Sequence, residues 1–192
     1  SQVNAGGLGA HTTMRWTQRL AERNARVVNL SPLRDDVVPE AATEWLPLAP
    51  NTDTAVMLAL AHTLVTEGLH DREFLSRCTV GFDRFTPYLL GETDGQPKDA
   101  EWASRISEIP AERIQELARE MARSRTVVSV NWSVQRGDHG EQPYWMAVTL
   151  AALLGQIGTP GGGLGIGLSA IHGVGNPNPQ AKWASLPQGV NP

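Results

Sequence analysis

The sequence predicts an α/β fold, a parallel sheet flanked by helices, and two successions of helix and strand predict it. A helical period over Thr13 to Asn24 runs into Arg26-Val27-Val28-Asn29-Leu30, and an amphipathic stretch opened by Pro110 runs into Thr126-Val127-Val128-Ser129-Val130. A long apolar helix from about Gln142 to Leu154 follows the second strand. Such alternation is what a parallel sheet with crossover helices requires.

In chain order, Met14, Leu20 and Ala21 stand among Arg15, Arg19, Glu22 and Arg23, the pattern of a surface helix. The strand at 26–30 stops at Ser31-Pro32, because proline has no amide proton for a ladder and holds its predecessor extended. Glu44-Trp45-Leu46-Pro47-Leu48-Ala49 is a second extended segment. Pro50-Asn51-Thr52-Asp53 is a turn with N-cap chemistry before a helix at 54–67. There Val56, Leu58, Leu60, Leu64 and Val65 wrap more than one face, which predicts a helix packed on several sides.

Residues 70–107 read as a small helical insertion broken by Gly81, Pro87, Gly91 and Asp94-Gly95, with Phe74, Phe82, Phe85, Tyr88 and Trp102 as packing anchors. Behind Pro110, Ile114, Leu117, Ala118 and Met121 recur at helical spacing, with Glu112 near the positive end of the dipole. The strand at 126–130 is of the kind buried in a parallel sheet. Gly155 suits a left-handed cap for the last helix. The α/β unit is expected over 1–157. Residues 158–192, rich in Gly and Pro, are expected to be irregular and held against other surfaces by Ile166, Leu168, Ile171, Trp183 and Leu186.

At 192 residues the chain is one domain or a tight pair. No run approaches the ~18 apolar residues of a membrane span. The net charge of −4 supplies no cationic field for a nucleic acid. Cys78 is the one cysteine, so no internal disulfide forms, and it reads as a buried structural thiol. The five histidines contain no pair at metal-ligand spacing, so no protein-built metal site is expected. The chain opens on Ser1-Gln2 with no leader pattern and closes mid-loop on Asn191-Pro192. It is expected to be a piece of a longer polypeptide, which leaves the compartment undecided.

In open parallel sheets, ligands sit beyond the carboxyl ends of the strands, where loops converge and helix N-termini aim amide protons at anions. Three segments qualify: Leu30-Ser31-Pro32, Asn51-Thr52-Asp53 and Asn131-Trp132-Ser133-Val134-Gln135-Arg136. Together they offer a carboxylate, hydroxyls, amides, an indole and a guanidinium, a set that could hold a nucleotide's base, ribose and diphosphate. This makes the fold dinucleotide-binding-like. Asp53 could accept two hydrogen bonds from a guanine, or act only as a helix N-cap. Arg136 could clamp a phosphate or join a surface ion pair, and Trp132 could be a shelf or packing. His139 invites a general-base role, but no nucleophile motif accompanies it, which favours a histidine that is structural or supports a binding residue from behind. Gly163-Leu164-Gly165 lacks the flanking strand and helix of a phosphate loop.

Three longer motifs carry a resemblance. They are Trp132-Ser133-Val134-Gln135-Arg136, then His139-Gly140-Glu141-Gln142-Pro143-Tyr144-Trp145, then Leu154-Gly155-Gln156-Ile157-Gly158-Thr159-Pro160-Gly161-Gly162-Gly163. Pro50-Asn51-Thr52-Asp53, Gly68-Leu69-His70-Asp71, Gly91-Glu92-Thr93-Asp94-Gly95 and Glu101-Trp102-Ala103 add to it. The sequence resembles the molybdopterin oxidoreductases of the dimethyl sulfoxide reductase type, from about residue 26 to 167. Within that family it is similar to the reductases of biotin sulfoxide, trimethylamine N-oxide and dimethyl sulfoxide.

The resemblance implies a large four-domain enzyme that holds one molybdenum between two molybdopterin guanine dinucleotides. Such an enzyme reduces a small S- or N-oxide with electrons from a donor that the sequence does not identify. This chain resembles its third domain, which cradles the guanosine diphosphate part of one pterin and whose partners are the remaining domains of the polypeptide. By carry-over, Asn51, Thr52 and Asp53 resemble the guanine-side loop, Leu30 and Ser31 the turn beside the nucleotide, and Trp132, Ser133 and Arg136 the loop at its phosphates. Family members commonly carry Asp-Pro where Ser31-Pro32 stands. No catalytic residue or metal ligand is matched, so the fragment alone is expected to be inactive. A non-catalytic guanine-nucleotide-binding or regulatory α/β domain is the alternative.

Overall fold

A computed structural model describes residues 19–20, 22–23, 25–34 and 44–165. Its order is β1 (Val28–Ser31), β2 (Glu44–Pro47), α1 (Asp53–Thr66), α2 (Arg72–Cys78), α3 (Phe82–Leu89), α4 (Ala100–Ser107), α5 (Ala111–Arg123), β3 (Val127–Ser129), a 3₁₀ turn (Trp132–Arg136), α6 (Gln142–Leu153) and β4 (Gly163–Gly165). The chain is α/β, but among the described residues the strands form two separate parallel pairs and no continuous sheet. β1 pairs with β2, Val28 opposite Glu44, and β3 pairs with β4, Val127 opposite Gly163.

Helix α1 is the centre. Every residue from Ala55 to Ala61 is buried, as are Thr63 and Leu64, and α4, α5 and α6 all pack against it. The Thr63 hydroxyl donates to the Ala59 carbonyl, so its burial strands no polar group. Helix α5 buries Ala111, Ile114, Leu117, Ala118 and Met121, the stripe its spacing predicts. Ser107 closes α4 with its hydroxyl on the Ala103 carbonyl at 2.8 Å, and its own carbonyl accepts the Ala49 amide. That bond ties the segment leaving β2 to the end of α4.

Charge fastens the first strand pair to α5. The Arg113 guanidinium grips Glu44 through Nε and Nη2, at 2.6 and 2.7 Å, and also reaches Glu120 at 3.1 Å. Arg26 bridges the same two carboxylates at 2.8 and 2.9 Å. The Arg113 hydrogen bonds hold the Glu44 carboxyl below the usual glutamate range. Across the molecule, Arg119 pairs with Glu67 at 2.7 Å and joins α5 to the end of α1.

Several expectations are corrected. Asp53 does not cap α1 from outside. Thr52 takes the cap position with its hydroxyl turned back onto the Ala49 carbonyl at 2.6 Å, and Asp53 enters the first turn. Pro87 does not break the insertion but sits inside α3, near its end, where a short helix tolerates one missing amide. Tyr88 is 40% exposed and no core anchor; its ring lies 4.5 Å from the buried Lys98 ammonium, which also bonds Asp94 at 2.6 Å. Cys78 is exposed, because it ends α2 on the outer surface. β3 is not buried on both faces: Val127 and Ser129 are exposed while Val128 packs on the core.

Gly155 takes the left-handed conformation expected after α6, with φ +67°, and a Cβ there would strike the Asp71 side chain. Most of the expected helix at 13–24 and the segment 166–192 lie outside the described residues; Arg19, Leu20 and Glu22 are helical.

Leu64 is fully buried. Leu64→Ala is expected to destabilise the chain by about 2–5 kcal/mol, read from the urea midpoint. A carboxyl whose pKa folding lowers stabilises the fold above its unfolded value, 4.5 for Glu44, and that contribution is lost as pH falls through the lower folded value. Arg113→Met is therefore expected to flatten the acid limb of stability against pH.

Candidate functional site

The loops that follow β1, β2 and β3 run from the carboxyl ends of their strands, as the sequence requires of a binding edge. The first two are stitched together at Ser31. Its carbonyl accepts the Trp45 indole N–H at 2.8 Å and the Leu48 amide at 3.4 Å, and its hydroxyl oxygen accepts the Leu33 amide at 3.1 Å. Ser31 is thus buried and engaged in shaping its own turn. Leu30 packs against the core. Both residues position the strand end more than they present groups at its surface.

Past β2, Asn51 adopts a left-handed backbone with φ +66°, a conformation asparagine tolerates. Its side chain is exposed and stands over Gly137, where an added Cβ would meet the amide oxygen at 2.5 Å. Gly137 therefore lets the loops after β2 and β3 touch. Asp53 is half-buried in the first turn of α1, and burial holds its carboxyl above the usual aspartate range, opposed by a hydrogen bond from its own backbone amide. Among the described residues no cation lies within ion-pair distance of it. A half-buried carboxylate in this state has unused acceptor capacity.

The loop after β3 is held rigidly. The Asn131 side-chain oxygen faces the Ser133 amide at 3.5 Å, the Asn131 carbonyl accepts the Tyr144 hydroxyl at 2.9 Å, and Gln142 N–H donates to the His139 carbonyl at 2.9 Å. Gly140 is buried where any Cβ would collide with the Gln135 carbonyl. This scaffold leaves Ser133 and Arg136 exposed at the surface. The ion-pair alternative for Arg136 is not realised among the described residues. The Trp132 side chain lies outside the described part.

An open cleft of about 380 Å³ lies between the two loops, lined by Asn51 and Thr54 from one side and Asp138, His139, Gln142 and Pro143 from the other. Of the expected site residues whose side chains are described, Asn51 lines this cleft and the others do not. Asp53 does not line it, but the next residue, Thr54, does. Thr54, Asp138, His139, Gln142 and Pro143 join Asn51 there without a ligand signal of their own in the sequence. The glycines at 137 and 140, bracketing Asp138-His139, are the signal in the sequence that a tight loop presents them. A larger hollow of about 790 Å³, lined by Val65, His70, Leu75, Val80 and Phe82 among others, involves none of the expected residues. Arg72, Ser76, Thr79, Asp83 and Thr86 also line it, but it lies away from the strand-end loops, so the smaller cleft, which Asn51 lines, is the better candidate.

No group of three or more His, Cys, Asp or Glu among the described residues could hold a metal ion. No described helix is long and apolar enough to cross a membrane.

Taken as a class, this is an α/β unit with polar loops converging beyond parallel strands. The pattern of the family described as Molybdopterin oxidoreductase matches residues 7–187. The chain belongs to that family. It is 50% identical over 188 residues to a biotin sulfoxide reductase of Cereibacter sphaeroides, a match covering 98% of this chain and 25% of that protein. A dimethyl sulfoxide/trimethylamine N-oxide reductase of the same organism is 47% identical, over 86% of this chain and 20% of the relative. Trimethylamine-N-oxide reductase 1 of Escherichia coli (strain K12) is 57% identical over 67% of this chain and 15% of its own. The chain spans about a quarter or less of the length of these relatives. Among solved structures, acetylene hydratase from Pelobacter acetylenicus aligns over 72% of this chain and 18% of its own, with a TM-score of 0.49 at 21% identity.

A carboxyl raised by burial stabilises the folded state only while protonated, below its unfolded value of 3.8, and that contribution is lost as pH rises through the higher folded value. Asp53→Asn is therefore expected to raise the thermal midpoint at neutral pH, with the difference vanishing in acid. A lowered midpoint would mean that the carboxylate serves as a structural cap.

Proposed function

We propose that this chain is the part of a molybdenum-dependent S- or N-oxide reductase that holds the guanosine diphosphate portion of one molybdopterin guanine dinucleotide. The observation that carries this reading is Asp53: a half-buried carboxylate with no cation among the described residues, at the start of a fourteen-residue helix whose second residue, Thr54, lines the cleft between two strand-end loops. The residues fit the group. A guanine edge presents two adjacent N–H donors, which match the two oxygens of one carboxylate, and adenine does not. The diphosphate is anionic, and Arg136 is an exposed guanidinium with no carboxylate competing for it among the described residues.

In this reading Asp53 reads the base, Asn51 and Thr52 shape its loop, Ser133 and Arg136 meet the phosphates with Trp132 beside them, and Leu30 and Ser31 hold the adjoining turn. Asp53 is desolvated before the base arrives, so its hydrogen bonds form at little further desolvation cost. When bound, the cofactor supplies reductive oxygen-atom transfer from an S- or N-oxide such as biotin sulfoxide, trimethylamine N-oxide or dimethyl sulfoxide. The residues of this chain bind and orient it and move no proton at the reacting oxygen. The fold is then dinucleotide-binding in use, with the nucleotide beyond the strand ends, and the other domains of the polypeptide complete the site.

Removing one hydrogen-bonded charge from such a site costs about 1.5–3 kcal/mol, roughly ten- to a hundredfold in affinity. In the complete polypeptide, Asp53→Asn and Arg136→Gln are each expected to lower the guanine nucleotide released by acid and counted by chromatography. Asp53→Asn should also let GDP lose its advantage over ADP in competition. Full guanine content in both variants would sink the assignment.

A further inference from the structure

Among the described residues two helices are apolar on almost every side, and one of them leaves large apolar side chains bare. α1 is covered by α4, α5 and α6, and buries seven consecutive residues. α6 carries no charged residue and buries Pro143, Met146, Ala147 and Leu150–Leu153, yet its Trp145 is 61% exposed and Val148 45%. These two stand three residues apart, one above the other on the same helix face. Beside Trp145 the Thr149 hydroxyl is turned back onto the Trp145 carbonyl at 2.8 Å, so that face offers little to water. A helix apolar on all sides is built to be covered on all sides. Gln142 and Pro143, in the turn before Trp145, line the cleft between the two loops. The bare face therefore begins at the rim of the proposed nucleotide site.

We propose that the Trp145 and Val148 face of α6 is the seat of an apolar surface from the same polypeptide, contributed by sequence outside residues 1–192, which walls the nucleotide cleft on that side. The walling role rests on the proposed function; the docking rests on α6 alone. Two arguments select this occupant. The biotin sulfoxide reductase relative extends far beyond the matched region, which is 25% of its length, so the family carries the chain needed to cover the face. The patch is also too small for a separate partner. An aromatic side chain buries roughly 150–250 Å², against about 800 Å² per side in a stable complex of separate chains. A segment of the same polypeptide needs no such area, because the covalent link supplies a high effective concentration.

The test uses the complete polypeptide, with its guanine nucleotide content measured on the same preparation. In the unsubstituted protein, hydroxyl-radical labelling of Trp145 is expected to be many-fold slower than in the unfolded chain. With benzoylphenylalanine placed at position 145, ultraviolet light is expected to give a product of monomer mass, cross-linked to a peptide outside residues 1–192. A dimer-mass product would assign the face to a second copy, and a link to residues 166–192 would assign it to this chain's own tail; either overturns the proposal. So does labelling as fast as in the unfolded chain. Nucleotide retained with Trp145 exposed defeats this inference alone, whereas Trp145 protected in a preparation lacking guanine nucleotide defeats the reading of the cleft alone.

Discussion

The enclosure of α1 is the constraint on which the rest of the structure depends. A helix reading Ala-Val-Met-Leu-Ala-Leu-Ala from Ala55 to Ala61 has no polar face to offer water there, so three other helices must surround it. Its alanines let those helices approach closely, and its leucines and Val56 fill the space between them. Because α1 cannot shift without exposing that core, its N-terminus is fixed in space. The Asn51-Thr52-Asp53 turn is fixed with it. The bond from the Ala49 amide to the Ser107 carbonyl pins the approach from the other side.

That rigidity explains how a site can be assembled from short strands. The two strand pairs contribute only four and three residues per strand, too little to hold loops by themselves. The loop after β3 is instead held by Gly140, which admits no side chain against the Gln135 backbone, and by the Tyr144 hydroxyl, reaching from α6 to the Asn131 carbonyl. The loop after β2 is held by α1. Both anchors are helical, and the Asn51 contact with Gly137 is where they meet. A carboxylate set into this frame, half-buried and with no cation beside it among the described residues, is a cost to folding. Structural carboxylates in the same chain are handled otherwise: Glu44 and Glu67 each sit in an arginine fork.

The contrast between α1 and α6 has the same physical root. Both are continuous apolar helices, and burial of such a helix releases free energy from every side only if every side has a neighbour. α1 finds its neighbours within these residues, whereas α6, packed by α1, α2, β3 and β4, still leaves Trp145 and Val148 bare among the described residues. Sequence composition states the demand for cover, while the arrangement of the other helices determines where the demand is unmet.

Much of this protein was legible in its residues. The period of Ile114, Leu117, Ala118 and Met121, the β-branched run at 127–128, the Gly155 stop and the all-round apolarity of 55–64 are local properties, because helix and strand geometry repeat over a few residues. The resemblance of the long motifs was legible too, and with it the family. Tertiary structure decided what depends on distant partners. It placed Thr52, and not Asp53, at the helix cap, since the Ala49 carbonyl captured the threonine hydroxyl. It exposed Cys78 and Tyr88, divided the strands into two pairs, and brought Asp138, His139 and Gln142 to face Asn51 across one cleft. Residues some ninety positions apart meet there because α1 and α6 pack together, and no local pattern encodes where two packed helices will set their ends.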